Sequence, residues 1–156
     1  VPPFFSTDPA AFRSTISEVT PPVDDIADPV ECAVAERGRY IVMTTGCIGC
    51  HAAGSRRGSD FTSYMAGGAI QTHAEMATYV RGNLTPDRER GIGRRTDDEI
   101  ERVLRGDTYP HGHVSPTVMP WPAYATWTEE DRQAVVVYLR HLKHRHPIPE
   151  PVAVTP

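Results

Sequence analysis

The chain has no run of apolar residues approaching the length needed to cross a bilayer. It has no long basic stretch either, and its formal net charge is −4, which argues against a nucleic-acid binder. There is no convincing period-two alternation, no βαβ pattern and no internal repeat, so neither a sheet-based nor a repeat architecture is expected. Cysteine is scarce: Cys47 and Cys50 stand close together and Cys32 stands alone. A structural zinc site would want four N/S ligands, usually with a second closely spaced pair, and that pair is absent. A thioredoxin-like dithiol belongs near a βαβ pattern, which is missing too.

What is present is concentrated in residues 47–51, Cys-Ile-Gly-Cys-His. C-x-x-C-H is the attachment pattern of a c-type haem. Two thiols separated by two residues reach both vinyl groups of the porphyrin, and the adjacent histidine ligates the iron. The expected cofactor is therefore one covalently attached haem c, tethered by Cys47 and Cys50, with His51 as an iron ligand. Such attachment takes place outside the bacterial cytoplasm. The sequence shows no signal peptide, so an export signal is expected to have been removed, and the expected location is the periplasm or an equivalent space. Cys32 is expected to be a buried free thiol that packs like a small hydrophobe; the competing reading is a bond to a partner chain.

The fifteen prolines are unevenly placed. Pro2, Pro3, Pro9, Pro21, Pro22 and Pro29 crowd the first thirty residues, and Pro147, Pro149, Pro151 and Pro156 the last ten. This divides the chain into a Pro-rich extension (1–27), a haem domain (28–146) and a Pro-rich tail (147–156). Within the domain, Asp28-Pro29-Val30-Glu31 signals a helix start. The helix should run to about Thr44, with Val30, Val34 and Ile41 near one face and Tyr40 beside them. Gly38 in its middle costs about 1 kcal/mol of propensity and marks close contact with another backbone element. Thr72-His73-Ala74-Glu75 reads as a capping box opening a short helix that Gly82 closes. Thr96-Asp97-Asp98-Glu99 is a second box, with Ile100, Val103 and Leu104 as its apolar stripe and Gly106 as its stop. Thr128 caps a last helix carrying Ala134, Val135, Tyr138, Leu139 and Leu142, with basic residues at its end. Four helices joined by loops make a small all-α domain around one haem.

A second iron ligand must come from elsewhere. Met43 precedes the haem motif on the same helix, and Met76 reads as core filler. Met65, before Gly67-Gly68, stays open. Met119 is the strongest candidate, far enough beyond His51 for the chain to wrap the cofactor edge. Its loop carries Pro116, Pro120 and Pro122, and fixed φ angles limit how far it swings away. His/Met ligation raises the reduction potential and leaves no open position for a substrate, which favours electron transport. His111 and His113 could compete for the iron but read as a solvated loop. His141, His144 and His146 read as a charged helix end rather than a metal site. Arg88, Arg90, Arg94 and Arg95 form a local basic patch, either solvated or paired with a haem propionate or an acidic docking surface.

Taken in order, Arg37-Gly38-Arg39-Tyr40-Ile41-Val42, Cys47-x-x-Cys50-His51, Ala66-Gly67-Gly68, Asn83-Leu84-Thr85-Pro86-Asp87, Gly91-Ile92-Gly93, Asp97-Asp98-Glu99-Ile100, Met119-Pro120-Trp121-Pro122 and Tyr138-Leu139-Arg140 resemble class I c-type cytochrome domains. The likeness is to the cytochrome c subunits of periplasmic alcohol- and sugar-dehydrogenase complexes, and it covers about residues 33–143. It implies a helical cytochrome c fold, with His51 and Met119 matching the axial ligands. It also implies that the first and last helices cross near Gly38, against the face bearing Tyr138. Two features depart from that pattern. This chain has one C-x-x-C-H where such subunits commonly have three, and Arg94-Arg95 where an aromatic residue commonly follows Gly-Ile-Gly.

The expected function is electron transfer between redox protein partners, as part of a respiratory, photosynthetic or dehydrogenase complex, without catalysis by the chain itself. The extension is expected to lie across that larger assembly. The alternative is a catalytic or ligand-sensing haem protein with an exchangeable sixth ligand.

Overall fold

The computed structural model describes residues 20–23, 25–51, 54–55, 58–59, 64–68, 70–73, 77–107 and 119–142. Five helices are formed among them: α1 (Pro29–Thr44), α2 (Cys47–His51), α3 (Asp97–Leu104), α4 (Trp121–Tyr124) and α5 (Glu129–Arg140). Two small antiparallel ladders accompany this helical core. The strands β1 (Gly54–Ser55) and β2 (Gly58–Ser59) pair, as do β3 (Ile70–His73) and β4 (Ala77–Val80).

The long helices begin where their caps say they should. Asp28 accepts from the Val30 N–H at 2.9 Å, with Pro29 in the first turn of α1. Thr96 accepts from Glu99 N while the Glu99 carboxylate accepts from Thr96 N, a complete capping box on α3. Thr128 accepts from Asp131 N and opens α5, whose first turn holds Glu129, Glu130 and Asp131. Each cap supplies an acceptor to an N–H that the helix itself leaves unpaired, at about 1 kcal/mol apiece. Gly106, at φ +88°, turns the chain out of α3.

The frame of the domain is the crossing of α1 and α5. At Gly38 a methyl group would sit 1.9 Å from the Ala134 carbonyl oxygen and 2.9 Å from Tyr138 Cβ, so the two backbones touch there. This is the crossing that the cytochrome resemblance implies. The buried stripe of α1 is Ala35, Gly38 and Val42, which faces Ala134, Val135 and Tyr138. Of the face expected from Val30, Val34 and Ile41 with Tyr40 beside them, Ile41 packs against the core and Val34 is half-buried, but Val30 and Tyr40 are 71% and 63% exposed. The reason is steric: a close crossing selects small side chains, so the larger apolar residues sit outside the contact. Ile100 packs α3 onto the same core. Glu101 adds a nearly buried ion pair to Arg132 at 3.4 Å, and the Arg132 guanidinium also donates to the Trp127 carbonyl.

The helix expected from Thr72 to Gly82 is not formed. Residues 72–73 and 77–80 of it lie in the β3/β4 ladder, registered Ile70 to Val80 and His73 to Ala77. Thr78, Tyr79 and Val80 favour extended backbone, and their contribution outweighs a capping signal in so short a segment. The far end of the expected extension is packed on the domain: Thr20, Pro21 and Val23 are buried against it. The segments 1–19 and 143–156, with His144 and His146, lie outside the described residues, as do Met76, His111, His113 and Pro116.

Candidate haem site

α1 leads directly into the haem motif. The Thr45 N–H closes the helix on the Ile41 carbonyl (3.0 Å), and Gly46 turns the chain at φ +72°. Cys47 to His51 then form the single turn α2, which places both thiols and the imidazole on one short piece of chain. Cys47 and Cys50 are free thiols; Cys47 is half-buried and Cys50 exposed. The Cys47 sulfur lies 3.3 Å from the Thr45 hydroxyl and is hydrogen-bonded to Tyr124. Burial pushes the Cys47 thiol above its ordinary range, and the Thr45 and Tyr124 contacts only partly oppose this. Such a thiol is protonated near neutral pH, unlike the depressed thiol of a redox-active dithiol.

His51 is held from two sides. Its Nδ1 lies 2.8 Å from the Gly82 carbonyl oxygen, which can only accept, so Nδ1 carries the proton and Nε2 the lone pair. Burial is the largest influence on the ring and holds its pKa below the ordinary histidine value; nearby Arg81 acts in the same direction, and the Gly82 bond opposes both. A neutral imidazole donating Nδ1–H to a backbone carbonyl is the orientation a metal-ligating histidine takes. Its own carbonyl accepts from Gly67 N at 2.8 Å. Gly67, at φ +62°, approaches Gly82 so closely that a Cβ would fall 2.4 Å from the Gly82 oxygen. The Gly67-Gly68 pair thus lets the chain after Met65 lie beside the carbonyl that orients His51. Further bonds join these two segments, Leu84 N to Met65 O at 2.8 Å and Gly68 N to Arg81 O at 2.9 Å. Arg81 also donates to the Gly49 carbonyl.

The two methionine candidates differ. Met65 is fully buried in the protein core. Met119 is half-buried at the start of α4, and its carbonyl accepts from Trp121 N at 2.8 Å. Tyr124, on that helix, is the residue whose hydroxyl meets Cys47. Tyr124 in turn stacks at a tilt on Trp127, ring centroids 4.4 Å apart. The segment opening at Met119 is therefore tied to Cys47, the first cysteine of the C-x-x-C-H motif.

These residues fit a haem. Two unbonded thiols are correctly spaced, and a neutral histidine presents its Nε2 lone pair. Nearby, Asn83 has its Oδ1 occupied by Thr85 N and Oγ1, which leaves its buried Nδ2 without a partner. A family model described as cytochrome c matches residues 35–143. The chain belongs to the cytochrome c family. Haem c, iron binding and electron transport come with that membership.

Similar proteins carry the same theme. The chain is 28% identical over 114 residues, 73% of its length, to the gluconate 2-dehydrogenase cytochrome c subunit of Pantoea cypripedii. It is 29% identical over 111 residues, 71% of its length, to the cytochrome c subunit of the quinone alcohol dehydrogenase of Gluconacetobacter polyoxogenes. It is 30% identical over 103 residues, 66% of its length, to the fructose dehydrogenase cytochrome subunit of Gluconobacter japonicus. It spans only 24%, 22% and 20% of those three proteins.

Other candidates fall outside this centre. His141 pairs with Glu31 at 2.9 Å, clasping the end of α5 to the start of α1. Cys32 is a free, half-buried thiol packed against the core, with its sulfur 3.8 Å from the Val23 carbonyl. In the arginine loop, Asp87 accepts from Glu89 N and Arg90 N, and Arg88 and Arg94 are exposed. The residues the sequence reading missed are Gly82, Tyr64 and Tyr124. Gly82 was read as a helix stop, and only the paired glycines at 67–68 hinted at a close approach there.

Proposed function

We propose that this chain is a single-haem c-type cytochrome that passes electrons between redox protein partners outside the cytoplasm, as the electron-carrying part of a larger oxidoreductase assembly. In this reading Cys47 and Cys50 form the thioether links, and His51 and Met119 are the axial ligands. When bound, the haem supplies an iron that alternates between ferric and ferrous states. The chain's residues hold and tune it: Gly82 fixes the imidazole, and the α4 segment holds Met119 near the attachment point. No side chain is asked to move a proton or attack a substrate. The observation that carries the reading is the His51 to Gly82 bond, made on the same single helical turn that holds Cys47 and Cys50 at C-x-x-C spacing.

Two further points support it. The relatives above are named as cytochrome subunits of dehydrogenases. No helix among the described residues is long and apolar enough to cross a membrane. The test is a reductive titration of the holoprotein after its haem has been counted. One haem per chain that survives denaturation, a reversible one-electron wave and no carbon monoxide uptake by the native ferrous form are expected. Ready carbon monoxide binding would instead support a catalytic or sensing haem protein with an exchangeable sixth ligand.

A further inference from the structure

The segment at residues 20–23 is held by side chains in an unusual concentration. Arg39 donates through Nε and Nη2 to the Thr20 carbonyl, each at 3.2 Å. The Tyr138 hydroxyl lies 3.1 Å from the Pro21 carbonyl, and the Cys32 sulfur contacts the Val23 carbonyl. Pro21 and Pro22 offer no N–H, so this stretch cannot extend a ladder, yet Thr20 and Val23 are each 2% exposed. Buried carbonyls need donors, and here the helices supply them.

Tyr138 reaches two ways. Its hydroxyl also lies 3.2 Å from that of Tyr64, which precedes Met65 and the Gly67 that donates to the His51 carbonyl. Burial pushes the Tyr64 phenol up to about 12 and Tyr138 higher still, so both stay protonated across the physiological range. An unbroken set of contacts thus runs from the strap at 20–23, through Tyr138 and Tyr64, to the segment that backs His51 and Gly82.

We propose that the strap is a working part of the redox centre, and that Arg39, Tyr138 and Tyr64 are positioning residues which act through it on the His51 side of the haem. This rests on the haem reading above. Released from the strap, Tyr64 loses its anchor and the 64–68 segment loosens over His51, admitting water. Water next to the haem favours the charged ferric state, so the reduction potential falls.

The experiment compares full-length holoproteins: wild type, Tyr138→Phe, Arg39→Gln and the double variant. Tyr138→Phe keeps the ring in place and removes only the hydroxyl. Arg39 donates to the strap and to Glu36, and its charge also acts on Tyr64 and Tyr138, so Arg39→Gln is read beside Arg39→Lys, which keeps that charge. The two readouts are the midpoint potential and hydrogen exchange at the Gly67 and Leu84 amides. Both single variants are expected to lower the potential and speed that exchange, and the double variant to add little to either. Arg39→Lys, which keeps the charge but not the paired Nε and Nη2 bonds to the Thr20 carbonyl, should restore only part of the loss, and full restoration would overturn the strap's role. Variants that melt earlier but keep the wild-type potential and exchange would overturn the strap's role while leaving the haem reading intact. A wild type that carries no haem would overturn both.

Discussion

Replacing Gly38 with alanine tests the frame on which the site is built. The added methyl would stand 1.9 Å from the Ala134 carbonyl oxygen and 2.5 Å from its carbon. Both are backbone atoms of a regular helix, so relief requires α1 and α5 to separate by more than an ångström along their contact. Alanine gains about 1 kcal/mol of helix propensity over glycine at such a position. Overpacking typically costs about 1–3 kcal/mol and more where nothing flexible can yield. With backbone on both sides, the upper end applies, and the net loss is about 2 kcal/mol. For a domain of this size that corresponds to a fall of about 6–10 °C in Tm. The assay is thermal unfolding followed by far-ultraviolet circular dichroism, at equal haem occupancy for the two proteins. A Gly38→Ala protein as stable as wild type, or more stable, would refute the close crossing.

Further outcomes follow from the same geometry. Arg132→Leu leaves Glu101 without its cation in a nearly buried setting and should cost about 3 kcal/mol, read by denaturant unfolding. Thr96→Ala removes half of a capping box and should cost about 1 kcal/mol; no measurable loss would mean that α3 does not depend on its cap. Glu99 is held below the ordinary carboxylate range, first by the Thr96 N–H it accepts. Its stabilising contribution is therefore complete above the unfolded carboxylate pKa of about 4.3 and is lost as pH falls through the lower folded value. Glu99→Gln should flatten that part of the acid-unfolding curve, and an unchanged acid slope would contradict the assignment. Because residues 20–23 are packed on the core, the test of the arm as a partner contact is deletion of 1–19, with loss of co-purifying protein expected.

Much of the centre was legible in the sequence because its chemistry is local. C-x-x-C-H fixes two thiols and an imidazole on one turn, and the caps at Asp28, Thr96 and Thr128 announce their helices through residues three or fewer positions apart. What was not legible is long-range or subtractive. On α1, Gly38 announced the close crossing and Ile41 does pack on the core, but Val30 and Tyr40 are exposed, because the small Ala35 and Gly38 rather than the large apolar residues line the contact. The β3/β4 ladder was missed because a local capping pattern at Thr72 resembles one that truly forms at Thr96, and only pairing distinguishes them. The carbonyl that orients His51 belongs to Gly82, which carries no side chain to signal a role. The strap is invisible from sequence for a similar reason: its contacts are backbone carbonyls in a proline-rich stretch that otherwise reads as a tail.

The measurement that tests the central claim most directly is the near-infrared spectrum of the oxidised holoprotein, taken for wild type, Met119→Ala and Met65→Ala. His/Met ligation predicts a weak methionine-to-ferric charge-transfer band in wild type that survives Met65→Ala and vanishes in Met119→Ala. A wild type without the band, or a band that outlasts the loss of Met119, would contradict the ligation on which the electron-carrier reading stands.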